Sequence, residues 1–526
     1  MADGRREAGI LLPLFSLRGR RDWGIGEISD IGPLARWLAT AGHGLLQLLP
    51  IGEIAPGERS PYAALSAFGI DLIYLALRDV EDFVATGGEE ALDEGARSLL
   101  AAARAHPSVD YEAVRAVKRR ALERAFEWFV AIEWRTRSAR AAEFERFRTA
   151  EAGWLRDYSL FRACKERRGE RPWTEWEPSL RDREPAALAT VAGEVEWLRL
   201  FHEYVQWVAA SQWSAARRTA ADAGVRLKGD LPFMVAGDSA DVWARAGEFD
   251  LQCNVGAPPD AFNERGQDWG LPVYRWDVMA ATDFAWLRAR MAGAARLFDA
   301  VRVDHVVGYY RLWVVCPGAE GRFVPSEEGA QLVLGERLLG TALAAAGATQ
   351  VIAEDLGTVP PFVRQSLTAL DIPGYRVLRW EDDGGVFRDP STYPALSVAT
   401  SGTHDTTTLA VWWSAELGDA GRRSLAAVPL FAPLADAGAE FTPAVHAALL
   451  DGLYAAGSDL VVIPLQDAYG GHERINVPAT VGPQNWGYRM PWTVEELGRG
   501  VSAEVGERLR SLALRHRRAS GVARPA

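Results

Sequence analysis

Apolar and polar positions along the 526-residue chain fall into two alternating rhythms. Short, nearly continuous apolar runs read as strands buried on both faces: Gly9 to Leu12, Leu45 to Pro50, Val225-Arg-Leu-Lys-Gly-Asp230 and Asp459-Leu-Val-Val-Ile-Pro-Leu-Gln-Asp467. Between such runs lie stretches with helical periodicity. Ile31 to Gly42 is predicted as a helix, with Asp30 as its N-cap and Gly42 near its C-cap. Strand–helix alternation of this kind favours a parallel sheet.

From about residue 80 to 213 the rhythm becomes helical only. Asp110 is placed to cap a helix in which Val114, Val117, Ala121, Leu122, Ala125, Phe126 and Phe129 recur at three- and four-residue spacing. Breaks fall near Arg171-Pro172 and Pro185. The stretch is expected to be a helical insertion, and its arginine-rich faces to be solvated helix surfaces. A second helical insertion is expected over about residues 407–456.

Three further apolar runs each end in an acid: Ala300-Val-Arg302-Val-Asp304, Gln350-Val-Ile-Ala-Glu354 and Ser397-Val-Ala-Thr-Ser-Gly-Thr-His404-Asp405. A parallel barrel gathers the C-terminal ends of its strands at one mouth, so three such ends predict a carboxylate cluster there.

Composition narrows the function. Hydrophobic residues make 48% and charged residues 24% of the chain, the balance of an ordinary folded domain. A net charge of −12 argues against a nucleic-acid partner. No apolar run approaches a membrane span, and Ile10 to Leu14 is too short for a signal core. The three cysteines, Cys164, Cys253 and Cys316, are too few and too scattered for a disulfide framework or a metal knuckle; a reduced, cytoplasmic setting is expected. Twenty tryptophans (20) with 13 tyrosines and 19 phenylalanines supply core, and also flat faces on which sugar rings stack.

Arg302 and Asp304 share a strand face, and a guanidinium beside a carboxylate holds it ionised, as a nucleophile or a metal ligand requires. A structural ion pair would look the same. Glu354 sits among apolar neighbours, which raise a carboxyl's pKa and suit it to general acid catalysis; it could equally order a loop. Asp405 could cap the helix that follows. Together the three match a retaining glycosidase, in which one carboxylate attacks, a second protonates the leaving oxygen and a third steadies the transition state. The pairs Asp304-His305 and His404-Asp405 leave metal binding open, although the eight (8) histidines form no metal motif.

These segments resemble the catalytic motifs of the 4-α-glucanotransferases known as amylomaltase or disproportionating enzyme: Arg302-Val-Asp304-His305, Ala353-Glu354-Asp355-Leu-Gly357 and Gly402-Thr403-His404-Asp405. Similar matches run nearly end to end. They include Trp23-Gly-Ile-Gly26, Ser60-Pro-Tyr62, Gly229-Asp-Leu-Pro232, Gly256-Ala-Pro-Pro-Asp260, Gly266-Gln-Asp-Trp269-Gly270, Pro464-Leu-Gln-Asp467 and Arg474-Ile-Asn476. The resemblance implies a (β/α)8 TIM barrel with helical insertions and no separate C-terminal β-sandwich, forming one catalytic unit over residues 1–526. It implies Asp304 as nucleophile, Glu354 as acid/base and Asp405 as transition-state stabiliser. Arg302, His404, Asp230 and Tyr62 would surround the sugar at the cleaved bond, and Gln267, Trp269 and Asn476 would line further subsites. A substrate loop over about residues 256–276 would bind the acceptor and exclude water. The family needs no metal or organic cofactor, and its partners are malto-oligosaccharides or α-glucan.

Several positions depart from the family pattern. Ala261 stands where a tyrosine is expected, Leu271 where asparagine is usual, and Thr406 follows Asp405 in place of asparagine. All three carboxylates are spared. The changes bear on subsite affinity and on the balance of transfer against hydrolysis. A retaining hydrolase and a glucan-binding protein without turnover are the rival readings.

Overall fold

Eight strands form one parallel barrel: β1 (Glu7–Leu11), β2 (Leu45–Gln47), β3 (Arg226–Leu231), β4 (Ala300–Val303), β5 (Gln350–Ala353), β6 (Gly374–Val377), β7 (Ser397–Thr400) and β8 (Leu460–Pro464). The computed structural model describes residues 6–259 and 266–520. Strands follow one another around the barrel in chain order, and β8 pairs with β1. At the remaining seam, between β5 and β6, the Ala353 N–H donates to the Pro373 carbonyl at 2.8 Å. This is the TIM barrel expected, and no strand follows Pro464 among the described residues.

The strands are apolar because both faces are covered; among their few charged residues Lys228, Asp230 and Arg302 are buried. Just below the mouth, Lys228 Nζ donates to Tyr375 Oη at 2.6 Å, and burial pushes its ammonium well below the ordinary lysine range. Helices such as Glu196–Asp222, Ala285–Leu297 and Glu328–Ala346 form the outer layer.

The helix Tyr111–Phe129 buries the periodic stripe read from the sequence, and Asp110 Oδ1 caps it by accepting from the Ala113 N–H at 3.1 Å. Asp30 behaves otherwise than expected. Its carboxylate accepts from the Glu27 N–H at 3.0 Å within the turn before the helix Ile31–Thr40, and does not cap that helix.

The arginine-rich faces are also corrected. Many of these cations clamp the insertion onto the barrel: Arg115 pairs with Asp71 at 2.8 Å, Arg162 with Glu53 at 3.0 Å, and the fully buried Lys118 with Glu27 at 2.8 Å. Helical periodicity does not distinguish a charge that faces water from one that faces an acid on a distant loop.

The cysteines require a further correction. Strands Phe249–Ala257 and Leu312–Val315 pair antiparallel with Asn254 opposite Val315, so the next register position brings Cys253 to Cys316, and the two are disulfide-bonded. Their separation of 63 residues conceals adjacent positions in one sheet. The expected reduced setting thereby loses its basis; Cys164 is a buried free thiol. Among the described residues no helix is long and apolar enough to cross a membrane.

Much of the expected substrate loop is a strand, Gln267–Tyr274, paired antiparallel with Phe249–Ala257. Asp260, Ala261 and Phe262 lie outside the described residues.

Candidate active site

The C-terminal ends of β3, β4, β5 and β7 deliver Asp230, Asp304, Glu354 and Asp405 to one mouth. Asp230 and Arg302 face each other across the β3–β4 register, and Arg302 Nη1 donates to both oxygens of Asp230 at 2.8 and 2.7 Å. Its second nitrogen, Nη2, reaches Asp304 Oδ1 at 2.9 Å. Burial works against the guanidinium charge, but the carboxylates of Asp230 and Asp304 outweigh it and hold Arg302 firmly cationic. Tyr62 Oη completes the chain by donating to Asp230 Oδ2 at 2.7 Å.

Glu354 is bound differently. Its Oε2 accepts from the His305 N–H at 2.8 Å and its Oε1 from the Leu356 N–H at 3.2 Å. Burial, opposed by Arg302 and reinforced by the Asp304 charge, pushes its carboxyl up to about 7. His305 itself takes a φ of +44°, a left-handed conformation seldom adopted outside glycine. That turn sends the chain away immediately after Asp304 and leaves the His305 N–H aimed at Glu354.

Asp405 lies on the opposite wall. Asn476 Nδ2 donates to its Oδ1 at 2.6 Å, and His404 Nε2 lies 3.3 Å from its Oδ2. Burial alone would raise this carboxyl; His404 and then Asn476 overcome that and hold it well below the usual carboxylate range. Burial likewise opposes a charged His404, but Asp405 raises it. The capping role open to Asp405 falls to Asp467, whose Oδ1 accepts from the Leu409 N–H at 2.7 Å.

Aromatic rings line both sides. Tyr62 stacks on His404 with ring centres 5.3 Å apart, and Trp486 lies 5.9 Å from Tyr62 and 5.8 Å from His404. Trp269, on the hairpin strand, meets His305 edge to face at 5.1 Å, and its indole N–H donates to Gln267 Oε1 at 3.1 Å. The structure thus brings together Tyr62, Asp230, Arg302, Asp304, Glu354, His404, Asp405 and Asn476, with Gln267 and Trp269 on the flank. Trp486 was not singled out from the sequence; the Asn485-Trp486 pair in a glycine- and proline-rich loop ten residues after Asn476 is the signal that could have found it. Among the described residues no three His, Cys, Asp or Glu side chains converge as a metal site.

A carboxylate fixed by an arginine, beside a carboxyl able to hold a proton near neutrality, can perform double displacement at an acetal carbon. The comparisons agree. The family model described as 4-alpha-glucanotransferase matches residues 12–494. Curated 4-alpha-glucanotransferases from Thermus thermophilus and Chlamydia pneumoniae are similar. The first is 34% identical, covering 97% of this chain and 98% of its own, and the second 32% identical, covering 93% and 92%. The fold matches that of an amylomaltase from Streptococcus agalactiae solved with acarbose, at a TM-score of 0.82 and 24% identity over 98% of this chain and all (100%) of the other. Amylomaltase from Corynebacterium glutamicum matches at a TM-score of 0.79 and 23% identity, over 97% of this chain and 75% of the other. With most of its length matched by the family model and two full-length relatives above 30% identity, this chain belongs to the 4-alpha-glucanotransferase family of retaining enzymes.

Proposed function

We propose that this barrel moves segments of α-1,4-glucan between malto-oligosaccharides, with Asp304 as nucleophile, Glu354 as acid/base and Asp405 as transition-state stabiliser. The observation that carries the assignment is the contrast between two carboxyls at the ends of the adjacent strands β4 and β5. Asp304 is paired to Arg302 at 2.9 Å, while Glu354, with two backbone N–H donors and no cation in contact among the described residues, has its carboxyl pushed up to about 7.

In the first step an oxygen of Asp304 attacks the anomeric carbon. The glycosidic C–O bond breaks, and the proton held by Glu354 passes to the departing oxygen. In the second step Glu354, now ionised, takes the proton from the 4-hydroxyl of an acceptor glucan. That oxygen attacks the same carbon, and the bond to Asp304 breaks. Positive charge grows on the sugar in both transition states, and the strongly acidic Asp405 is placed to offset it. Arg302, Asp230, Tyr62 and His404 hold the sugar at the cleaved bond. Gln267, Trp269 and Asn476 serve flanking subsites.

Transfer requires that a sugar hydroxyl outcompete water for the covalent intermediate. The Trp269 ring closes over His305, next to the nucleophile, and is placed to stack an acceptor ring and narrow water's access. The helical insertion and the 256–276 segment act as parts of this single catalytic unit.

Incubation with maltotriose tests the reading. Longer oligomers together with glucose are expected; shorter products alone would make the protein a hydrolase. Asp304→Ala should abolish turnover while sugar binding, measured by calorimetry, persists. Unchanged turnover in that variant would point to glucan binding without catalysis by this site.

A further inference from the structure

Trp486 is a bulky residue with a φ of +61°, in the left-handed region where side chains other than glycine, asparagine and aspartate are uncommon. Such a conformation persists only where the surroundings hold it, and here the holders can be named. The Trp486 N–H donates to the Ile475 carbonyl at 2.8 Å. The Trp486 carbonyl accepts from Tyr111 Oη at 2.9 Å, and the next carbonyl, of Gly487, accepts from the Val109 N–H at 3.1 Å. The approach at Gly487 is close: a Cβ there would lie 3.1 Å from that of Ser108, a tight contact. Two consecutive carbonyls of the loop after β8 are therefore clasped by residues 108–111, where the helix Tyr111–Phe129 of the insertion begins.

The clasp has a direction. Tyr111 is buried and rests edge-on against Phe15, on the segment after β1. The indole it fixes is 7% exposed and faces the pair Tyr62–His404, which stack with an interplanar angle of 22°. Tyr62 is bonded to Asp230 and His404 to Asp405, so the Trp486 ring backs both halves of the wall around the sugar at the cleaved bond.

We propose that Trp486 is a positioning residue for the glucan transfer reaction. Held in its left-handed conformation by Tyr111, it sets the distance between the Tyr62–Asp230 and His404–Asp405 pairs, and through it the helical insertion shapes the donor side of the site. This rests on the assignment of that wall to the sugar that becomes bound to Asp304.

The test compares Trp486→Leu, Trp486→Phe, Tyr111→Phe and Glu354→Gln on maltotriose and on α-maltosyl fluoride, whose leaving group departs without a proton. Trp486→Leu is expected to lower kcat on both donors alike, by about tenfold to a hundredfold. Trp486→Phe keeps an aromatic face and should stay within about threefold of wild type. Tyr111→Phe removes one hydroxyl and should lose about threefold to tenfold in kcat with an unchanged melting temperature, which keeps the test valid should Trp486→Leu fold poorly. Wild-type kcat in both Trp486→Leu and Tyr111→Phe would overturn the proposal. So would a loss in Trp486→Leu that appears on maltotriose and vanishes on the fluoride. Failure of the underlying assignment has a separate mark: Glu354→Gln would then be no slower on maltotriose than on the fluoride.

Discussion

The backbone N–H of His305 donates to Oε2 of Glu354 at 2.8 Å, so the residue after Asp304 orients the carboxyl on the neighbouring strand. The Val306 N–H donates to the Glu354 carbonyl at 3.1 Å, and the Glu354 N–H to the Val303 carbonyl at 2.9 Å. Backbone hydrogen bonds thus tie the β4 end that carries Asp304 to Glu354, while the Asp304 carboxylate itself is held by the Arg302 side chain.

The raised Glu354 carboxyl gives a pH signature. The proposed first step uses its proton, so activity on maltotriose should fall as pH rises through about 7, and activity on the fluoride should not show that fall. Stability follows the same group. Below the ordinary value of 4.5 folded and unfolded chains both hold the proton; from there to about 7 only the folded chain does, so stability declines as pH rises through that window. Glu354→Gln should gain stability relative to wild type between pH 5 and 8. The gain should be about 1–2 kcal/mol once partial solvent exposure is allowed for, measured by denaturant midpoints.

Asn476→Ala should act on the opposite carboxylate. It removes the 2.6 Å donor to Asp405 and lets that carboxyl rise toward its usual range. Because the folded value is depressed, the contribution of Asp405 to stability is present above the ordinary value of 3.8 and lost as pH falls. The acid edge of the kcat profile should move to higher pH in Asn476→Ala, and kcat at neutrality should fall about tenfold to a hundredfold.

Lys118 tests how the insertion is attached. Its ammonium, fully buried, donates to Glu27 Oε1 at 2.8 Å and to the carbonyls of Ile73 and Leu75 at 2.7 Å each. Lys118→Ala takes this donor from the two carbonyls and leaves Glu27 with Arg78 as its cation, and should destabilise the protein by about 2–4 kcal/mol, visible in urea denaturation. Substituting an exposed pair such as Arg146 and Glu143, 4.0 Å apart, should change the midpoint little.

The disulfide closes a loop between residues 63 apart, within the sheet that carries Gln267 and Trp269. Cys253→Ser should lower stability by about 2–4 kcal/mol under oxidising conditions. Dithiothreitol should bring wild type to the level of the variant, and thermal melts with and without reductant would record it.

Much of the site could be read from the chain because strand-end acids carry their surroundings with them. Arg302 lies two residues before Asp304, so strand geometry alone puts both on one face. Apolar neighbours of Glu354 similarly foretold a raised carboxyl. Other relationships were hidden because they join elements far apart in sequence. Asp467 caps the helix beginning at Leu409, 58 positions away, and so frees Asp405 for the mouth. Cys253 meets Cys316 only through the antiparallel register of the sheet built from the β3–β4 and β4–β5 connections.

By itself, then, the sequence determined the parallel barrel, the three acids at its strand ends and the family, since short apolar runs and local spacing are properties of consecutive residues. Only the tertiary structure decided which charges of the insertion are buried, which cysteines pair, and that Tyr111 reaches Trp486 across 375 positions, beside the Tyr62–His404 pair. The physical reason is shared. Strand and helix signals arise within one segment, but burial, ion pairing and stacking depend on which surfaces meet when the segments close around a common core.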